Sequence, residues 1–389
     1  MSASLPTPPV YRKHDSFVGM RHHRLLPDVM ARLRLVRERL TGAGLSPYQE
    51  GIARAACDEA LGEADTPSVV GLQPFTLHSY TVEELSRLDE AQWPRYLVYR
   101  YRYDMFPQLR RVDGFPPCLQ IEPASVCNYR CVFCFQTDHA FTKRTNDYMG
   151  TMSLETFKRV IDQAVGSCEA ITLASRGEPL LCRQLPQMLA YARGKFLALK
   201  LNTNASQLDE AACHAILEAE VNTIVFSVDA ADAITYERLR VGGRFDEVRV
   251  NIERFHQIRA KQYPCSRVIT RVSGVKVPGT PDLDRMASVW DGLVDQVAFV
   301  AYNPWENTYE RPVNDLTTPC SDLWRRMFVW WNGTVNPCDV DYRSTLSVGN
   351  ANEQPLSELW RSEAYMRIRE KHLAAQRSQC APCNRCTVV

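Results

Sequence analysis

Six times between residues 116 and 303, a short apolar run rich in β-branched residues is followed by an amphipathic stretch or a loop. The runs are CLQIEP (118–123), AITLAS (170–175), LALKLNTN (197–204), TIVFSVD (223–229), RVITRVSGVKV (267–277) and QVAFVAYN (296–303). Between them lie stretches of helical periodicity: SLETFKRVIDQAV, QLPQMLAYARG, DEAACHAILEAE, FDEVRVNIERFHQIRA and DLDRMASVWDGL. Continuous apolar runs suit strands buried on both faces, as in parallel sheets covered by their crossover helices. Six such units are too few for a complete (β/α)8 barrel. The fold class is therefore α/β, a partial (β6/α6) TIM-like barrel whose active face lies at the strand C-terminal ends.

The loop after the first strand carries Cys127, Cys131 and Cys134 in EPASVCNYRCVFCFQT. Three thiolates on a four-iron cluster leave one iron without a protein ligand, where a small molecule can bind and receive an electron. A zinc site is the alternative, but it usually wants paired CxxC units and a fourth ligand. The nearest fourth ligands, His139 and Cys118, stand at no familiar zinc spacing.

The residues CNYRCVFC resemble the signature of the radical S-adenosylmethionine (SAM) superfamily, three cysteines at this spacing with an aromatic, here Phe133, before the third. The resemblance implies a partial barrel over 116–303 and a 4Fe–4S cluster on Cys127, Cys131 and Cys134, with SAM chelating the open iron. It implies reductive cleavage of SAM to a 5′-deoxyadenosyl radical that takes hydrogen from an unactivated carbon, the protein orienting and shielding it. In SRGEPLL, Gly177, Glu178 and Pro179 match a GGEP-like motif that receives the methionyl amino group, with Arg176 where glycine is usual. Asn202 and Asn204 in NTNA, and Ser227 and Asp229 in FSVDA, fall at strand ends that face SAM or substrate in such enzymes. Arg240, Arg244 and Arg271 are candidate partners of the cofactor carboxylate. Arg271 lies inside an apolar strand and needs a partner; Asp229 or Glu178 are the alternatives to SAM or substrate.

Beyond 303 come Cys320, a hairpin FVWWNGTVNPC around Asn332-Gly333, Cys338, a helical stretch, and Cys380-Ala-Pro-Cys383-Asn-Arg-Cys386. This order resembles the twitch domain, a shortened relative of the SPASM domain. It implies one auxiliary 4Fe–4S cluster on Cys320, Cys338, Cys380 and Cys383. Cys386 is left over, replacing one of the four or belonging to a larger SPASM pattern, which needs further cysteines that the sequence to Val389 does not hold. A zinc ribbon fits poorly, because Cys320 and Cys338 are far apart in sequence. The six scattered cysteines read as small buried hydrophobes.

The expected domains are a helical extension (1–112), the barrel (113–308) and the auxiliary-cluster domain (309–389). Charge is balanced, 46 Lys+Arg against 45 Asp+Glu, which gives no electrostatic reason to expect nucleic acid or an anionic membrane as partner. The basic run MRHHRLLPDVMARLRLVRER is diluted by Asp28 and Glu38 and reads as a solvated helix face. No apolar run has membrane-spanning length and MSASLPTPPVYRKHDSF lacks a signal-peptide core, so the expected location is cytoplasmic.

The resemblance implies a small hydroxylated substrate, a sugar, aminocyclitol or nucleotide sugar, whose alcohol is oxidised to a ketone, and a flavodoxin- or ferredoxin-type reductant. The substrate is expected between the clusters, beside Tyr302, Asn303, Trp305 and Glu306. Tyr302, Glu306 and Arg271 are the candidate catalytic residues, with Glu306 or Arg271 accepting the hydroxyl proton. The alternatives are a peptide maturase whose first hundred residues help to capture its precursor, and an epimerase with a thiol donor such as Cys265. A noncatalytic iron-sulfur protein is disfavoured by the open iron.

Overall fold

Each of the six apolar runs forms a strand in the computed structural model, which describes Val10 and residues 26–64, 72–277 and 283–389. They are β1 Cys118–Ile121, β2 Ala170–Leu173, β3 Ala198–Thr203, β4 Thr223–Ser227, β5 Ile269–Lys276 and β6 Gln296–Ala301. Successive strands pair in parallel, in the registers Cys118↔Ala170↔Ala198, Leu201↔Ile224, Phe226↔Val272 and Ser273↔Ala298.

The two-residue period of a strand divides the sheet into a wet and a dry face. In β3, Leu199, Leu201 and Thr203 are buried, whereas Ala198, Lys200 and Asn202 on the other face are half-buried around the lumen. The dry face packs on helices 154–164, 185–192, 210–218 and 245–262, where Leu119, Ile171, Leu199 and Ile224 share one core with Val160, Met188, Ile216 and Ile252. Ser153 and Asp209 cap two of these helices by accepting the backbone N–H groups of Thr156 and Ala212.

The hairpin at Asn332-Gly333 forms as well, but it does not stand apart from the barrel. Its first strand, β7 (Arg326–Val329), pairs in parallel with β1, Cys118 opposite Arg326. With β8 (Thr334–Asn336) and β9 (Gly349–Asn350) it completes a nine-stranded sheet of order β9-β8-β7-β1-β2-β3-β4-β5-β6. Gly333 has φ +85°, the left-handed conformation that glycine adopts without strain.

The described part of the N-terminal extension forms helices 26–38, 47–61, 79–87 and 93–109. Leu97, Tyr99 and Tyr103 share a core with Cys118, Ala170 and Leu197, at the starts of the first three strands. The extension therefore lies at the N-terminal ends of the strands, opposite the loops that follow them. In the basic run, residues 20–25 lie outside the described residues; beyond them Arg32 pairs with Glu90 at 3.5 Å and Arg34 with Glu63 at 3.5 Å. Among the described residues no helix is long and apolar enough to cross a membrane.

Candidate active site

The loops after β1 and β2 approach so closely that residue 177 has no room for a side chain. A Cβ on Gly177 would lie 2.6 Å from the Ala124 carbonyl oxygen and closer still to that of Val126. The next residue continues the contact: the Glu178 N–H donates to Val126 O at 2.9 Å. The Glu178 carboxylate accepts from Thr203 Oγ1 (2.6 Å), Asn204 N (2.7 Å) and Leu180 N (3.1 Å), which ties the loop after β2 to the end of β3. Burial pushes this carboxyl above its ordinary range, and the three donors oppose the shift.

Arg176 takes its own path. Its Nε and Nη2 reach the fully buried Glu122 at 2.7 and 2.6 Å, and its Nη1 donates to Tyr342 O at 2.9 Å. The guanidinium also lies 4.2 Å from the Trp330 ring centroid. The Arg176 side chain thus fastens the loop to the C-terminal segment.

These loops surround a cavity of about 380 Å³ at the C-terminal ends of the strands. Cys127, Cys131, Phe133 and Cys134 line it from the loop after β1, and Gly177 and Glu178 from the loop after β2. Asn202 and Asn204 line it from β3, Ser227 and Asp229 from β4, and Tyr302 from the loop after β6. Arg240 reaches it from beyond β4. Asp229, at φ +65°, accepts from Val275 N at 2.5 Å and forms an ion pair with Arg240 Nε at 2.5 Å. Arg240 Nη1 lies 3.7 Å from Cys131 Sγ. Burial works against the Arg240 charge, but Asp229 and Cys131 more than offset it and raise its pKa.

Arg271 does not pair with Asp229 or Glu178, both of which are engaged elsewhere. Its Nε donates to Gln296 Oε1 at 2.6 Å, and Gln296 Nε2 donates to Glu83 Oε2 of the helical extension at 3.0 Å. That places Arg271 toward the lower lumen, off the wall of the large cavity. Arg244 is at the surface, paired with Glu237 at 3.2 Å. Glu306 stands behind Tyr302, accepting its hydroxyl at 2.5 Å, and Pro179 begins a short turn behind Glu178.

A second, small cavity of about 20 Å³ is lined by Cys320, Cys338, Cys383 and Cys386, with Asp322 and His372. Cys380, although buried, does not line it. His372 Nδ1 accepts the Cys320 N–H at 3.2 Å, so a neutral ring carries its proton on Nε2, a buried atom without a hydrogen-bond partner. Burial, then Arg377 and Arg110, push the His372 pKa down to about 3, so the ring is neutral. Four thiols converging beside an orphaned N–H fit an iron-sulfur cluster, whose sulfurs accept hydrogen bonds. Cys127, Cys131 and Cys134, gathered on the wall of the large cavity, fit a cluster with one exposed iron in the same way.

The two cavities meet at consecutive residues: Asp339 lines the large one and Cys338 the small one. In the sequence, the one signal that marks Asp339 is its position directly after Cys338.

The radical SAM superfamily matches residues 121–275, and the SPASM iron-sulfur cluster-binding domain matches residues 320–387. A tungsten-containing aldehyde ferredoxin oxidoreductase cofactor-modifying protein of Pyrococcus furiosus is 23% identical over 296 residues, 64% of this chain and 81% of that protein. An AdoMet-dependent heme synthase of Oleidesulfovibrio alaskensis is 27% identical over 162 residues, 41% of this chain and 40% of the synthase. Among solved structures, BtrN in complex with AdoMet and 2-DOIA has a TM-score of 0.50 at 17% identity, covering 72% of this chain and 95% of BtrN. Streptococcus suis SuiB bound to the precursor peptide SuiA has a TM-score of 0.52 at 15% identity, covering 83% of this chain and 79% of SuiB. At these identities the likeness is one of fold. SAM and 4Fe–4S clusters, one that binds SAM and one auxiliary, are the cofactors of this chain. It belongs to the radical SAM superfamily and carries a C-terminal auxiliary iron-sulfur domain of the twitch/SPASM type.

Proposed function

We propose that the protein is a dehydrogenase that oxidises an alcohol of a small hydroxylated molecule, a sugar, aminocyclitol or nucleotide sugar, to a ketone. The observation that carries this reading is the meeting of the two cavities at Cys338 and Asp339. When bound, the cofactors supply a 5′-deoxyadenosyl radical that removes hydrogen from carbon and an auxiliary cluster that accepts one electron. Cys127, Cys131 and Cys134 would hold the first cluster, and Cys320, Cys338, Cys383 and Cys386 the second. Asp339, on the cavity wall, receives the hydroxyl proton as the carbonyl forms. The substrate then loses a hydrogen atom from carbon, a proton from oxygen and one electron, a two-electron oxidation in balance. Arg240, held by Asp229 beside Cys131, orients the cofactor carboxylate, and Tyr302, backed by Glu306, shapes the wall after β6. A flavodoxin- or ferredoxin-type protein supplies the electron that starts each turnover.

The described helical extension lies at the far end of the barrel from this cavity, which favours a small substrate over a precursor peptide captured by that extension. Reduced, cluster-loaded protein is to be incubated with SAM and a panel of carbinol-deuterated sugars and aminocyclitols. The expected product is a ketone lighter by one pair of hydrogens, with deuterium carried into 5′-deoxyadenosine. Deuterium transfer without ketone, or turnover of a peptide alone, overturns the reading.

A further inference from the structure

On the lumen face of the sheet, the wall of the large cavity meets positive charge. Gln120, Thr172 and Lys200 stand opposite one another on β1, β2 and β3, and all belong to the face turned toward the lumen. Arg326 enters from the start of β7 and reaches the cavity wall together with Gln120 and Asn202. Its guanidinium is held at 2.6 Å from Tyr103 Oη and 3.2 Å from Gln120 Oε1, both uncharged. Among the described residues, neither Arg326 nor Lys200 forms an ion pair. Glu122 pairs with Arg176, Asp229 with Arg240 and Glu83 with Arg87, while Glu84 acts on Lys200 and Asp322 on Arg326 without forming an ion pair to either.

Removing cations from water without an ion-paired counter-charge is costly, and placing several near one another is more so. The Lys200 amine shows the strain: burial first, then Arg271 and Arg326, lower its pKa to about 7. Asn202 adds a half-buried amide whose Oδ1 has no partner. Gln120, Asn202 and Arg326 thus form part of the cavity wall, with the half-buried Lys200 beside them on the same face and no ion pair to either cation among the described residues.

We infer that the lower lumen binds an anionic group of the substrate, a phosphate or a carboxylate, between Arg326 and Lys200, with Gln120 and Asn202 as neutral neighbours. This rests on the dehydrogenase reading for the identity of the ligand as substrate, and it narrows the class to hydroxylated molecules that carry a phosphate or an acid group. The anion at the floor would hold the rest of the molecule upward, toward the cysteine loop and Asp339.

The test titrates cluster-loaded, SAM-bound protein with inorganic phosphate and, separately, with acetate, read by calorimetry without reductant. At least one of the anions is expected to bind, and the tighter of the two identifies the class. Lys200→Met and Arg326→Gln are each expected to weaken that binding at least tenfold, and Lys200→Arg to keep it within a few-fold of the unaltered protein. Absence of binding of both anions, or unchanged binding in Lys200→Met, overturns the inference. Lys200→Met removes a charge repelled by its neighbours, so its melting temperature should not fall; it decides the question even if Arg326→Gln does not fold. No turnover enters the readout, so failure here leaves the oxidation open, and failure to form a ketone leaves the anion site open.

Discussion

Asp339 Oδ1 stands 4.0 Å from Cys338 Sγ, while the Asp339 side chain forms part of the wall of the large cavity. A proton leaving the substrate hydroxyl and an electron leaving its carbon would thus depart through adjacent residues. Asp339→Asn keeps the shape and removes the base. It is expected to lower ketone formation by about 10²-fold or more while 5′-deoxyadenosine is still released, since general-base groups contribute roughly 10²–10⁴-fold. Chromatographic measurement of both products checks this; ketone formation at the unaltered rate would remove Asp339 from the reaction.

Glu122 and Arg176 form a buried pair at 2.6 Å, and Glu122 also accepts the Trp331 N–H at 3.2 Å at the end of β7. Glu122→Gln leaves a buried guanidinium without its counter-charge. Breaking one side of such a pair costs about 3–5 kcal/mol, and denaturant unfolding of the cluster-loaded protein should show a loss of that order. A loss below about 1 kcal/mol, the range of surface pairs, would mean that the guanidinium finds water or another partner.

Lys200 makes stability depend on pH. Its amine faces Arg271 from β5, Arg326 from β7, Glu84 from helix 79–87 and Cys118 from β1, and its folded pKa of about 7 is below the ordinary lysine value of 10.5. Between those values the unfolded chain binds the proton and the folded one does not, so stability rises with pH, by at most about 1.4 kcal/mol per pH unit. Below pH 7 both states are protonated and the contribution is flat. Comparing the melting temperatures of the protein and of Lys200→Met from pH 6 to 9 isolates the effect: the difference between them should shrink as pH rises.

The strands were legible because each run is mostly apolar and bounded by turn residues, and the hairpin because Asn332-Gly333 dictates its turn. The pairing of β7 with β1 was not, since nothing local in FVWW indicates which edge it joins. Arg271 was recognised as a cation in need of a partner, but Gln296 and Glu83 come from distant segments that only the fold brings together. Lys200 obeys the same rule and could have been read from LALKLNTN. The cysteine loop and the motif at Gly177 were legible because close backbone approach leaves its mark in the residue type.

The run Cys380-Ala-Pro-Cys383-Asn-Arg-Cys386 contains two overlapping CxxC pairs of equal spacing, so spacing cannot choose between them. Geometry does discriminate: Cys383 and Cys386 line the small cavity with Cys320 and Cys338, whereas Cys380 does not. Arg377 supports that arrangement by donating to the carbonyl oxygens of Cys383 (3.0 Å) and Cys386 (2.7 Å). Two four-iron clusters hold about eight irons per chain. Anaerobically reconstituted Cys380→Ala should retain about eight, whereas Cys386→Ala should fall toward about four with its first cluster and SAM cleavage intact. Iron analysis with Mössbauer spectra separates the two cases. The opposite pattern, iron lost from Cys380→Ala and kept in Cys386→Ala, would return the fourth ligand to Cys380 and make Cys386 the spare thiol.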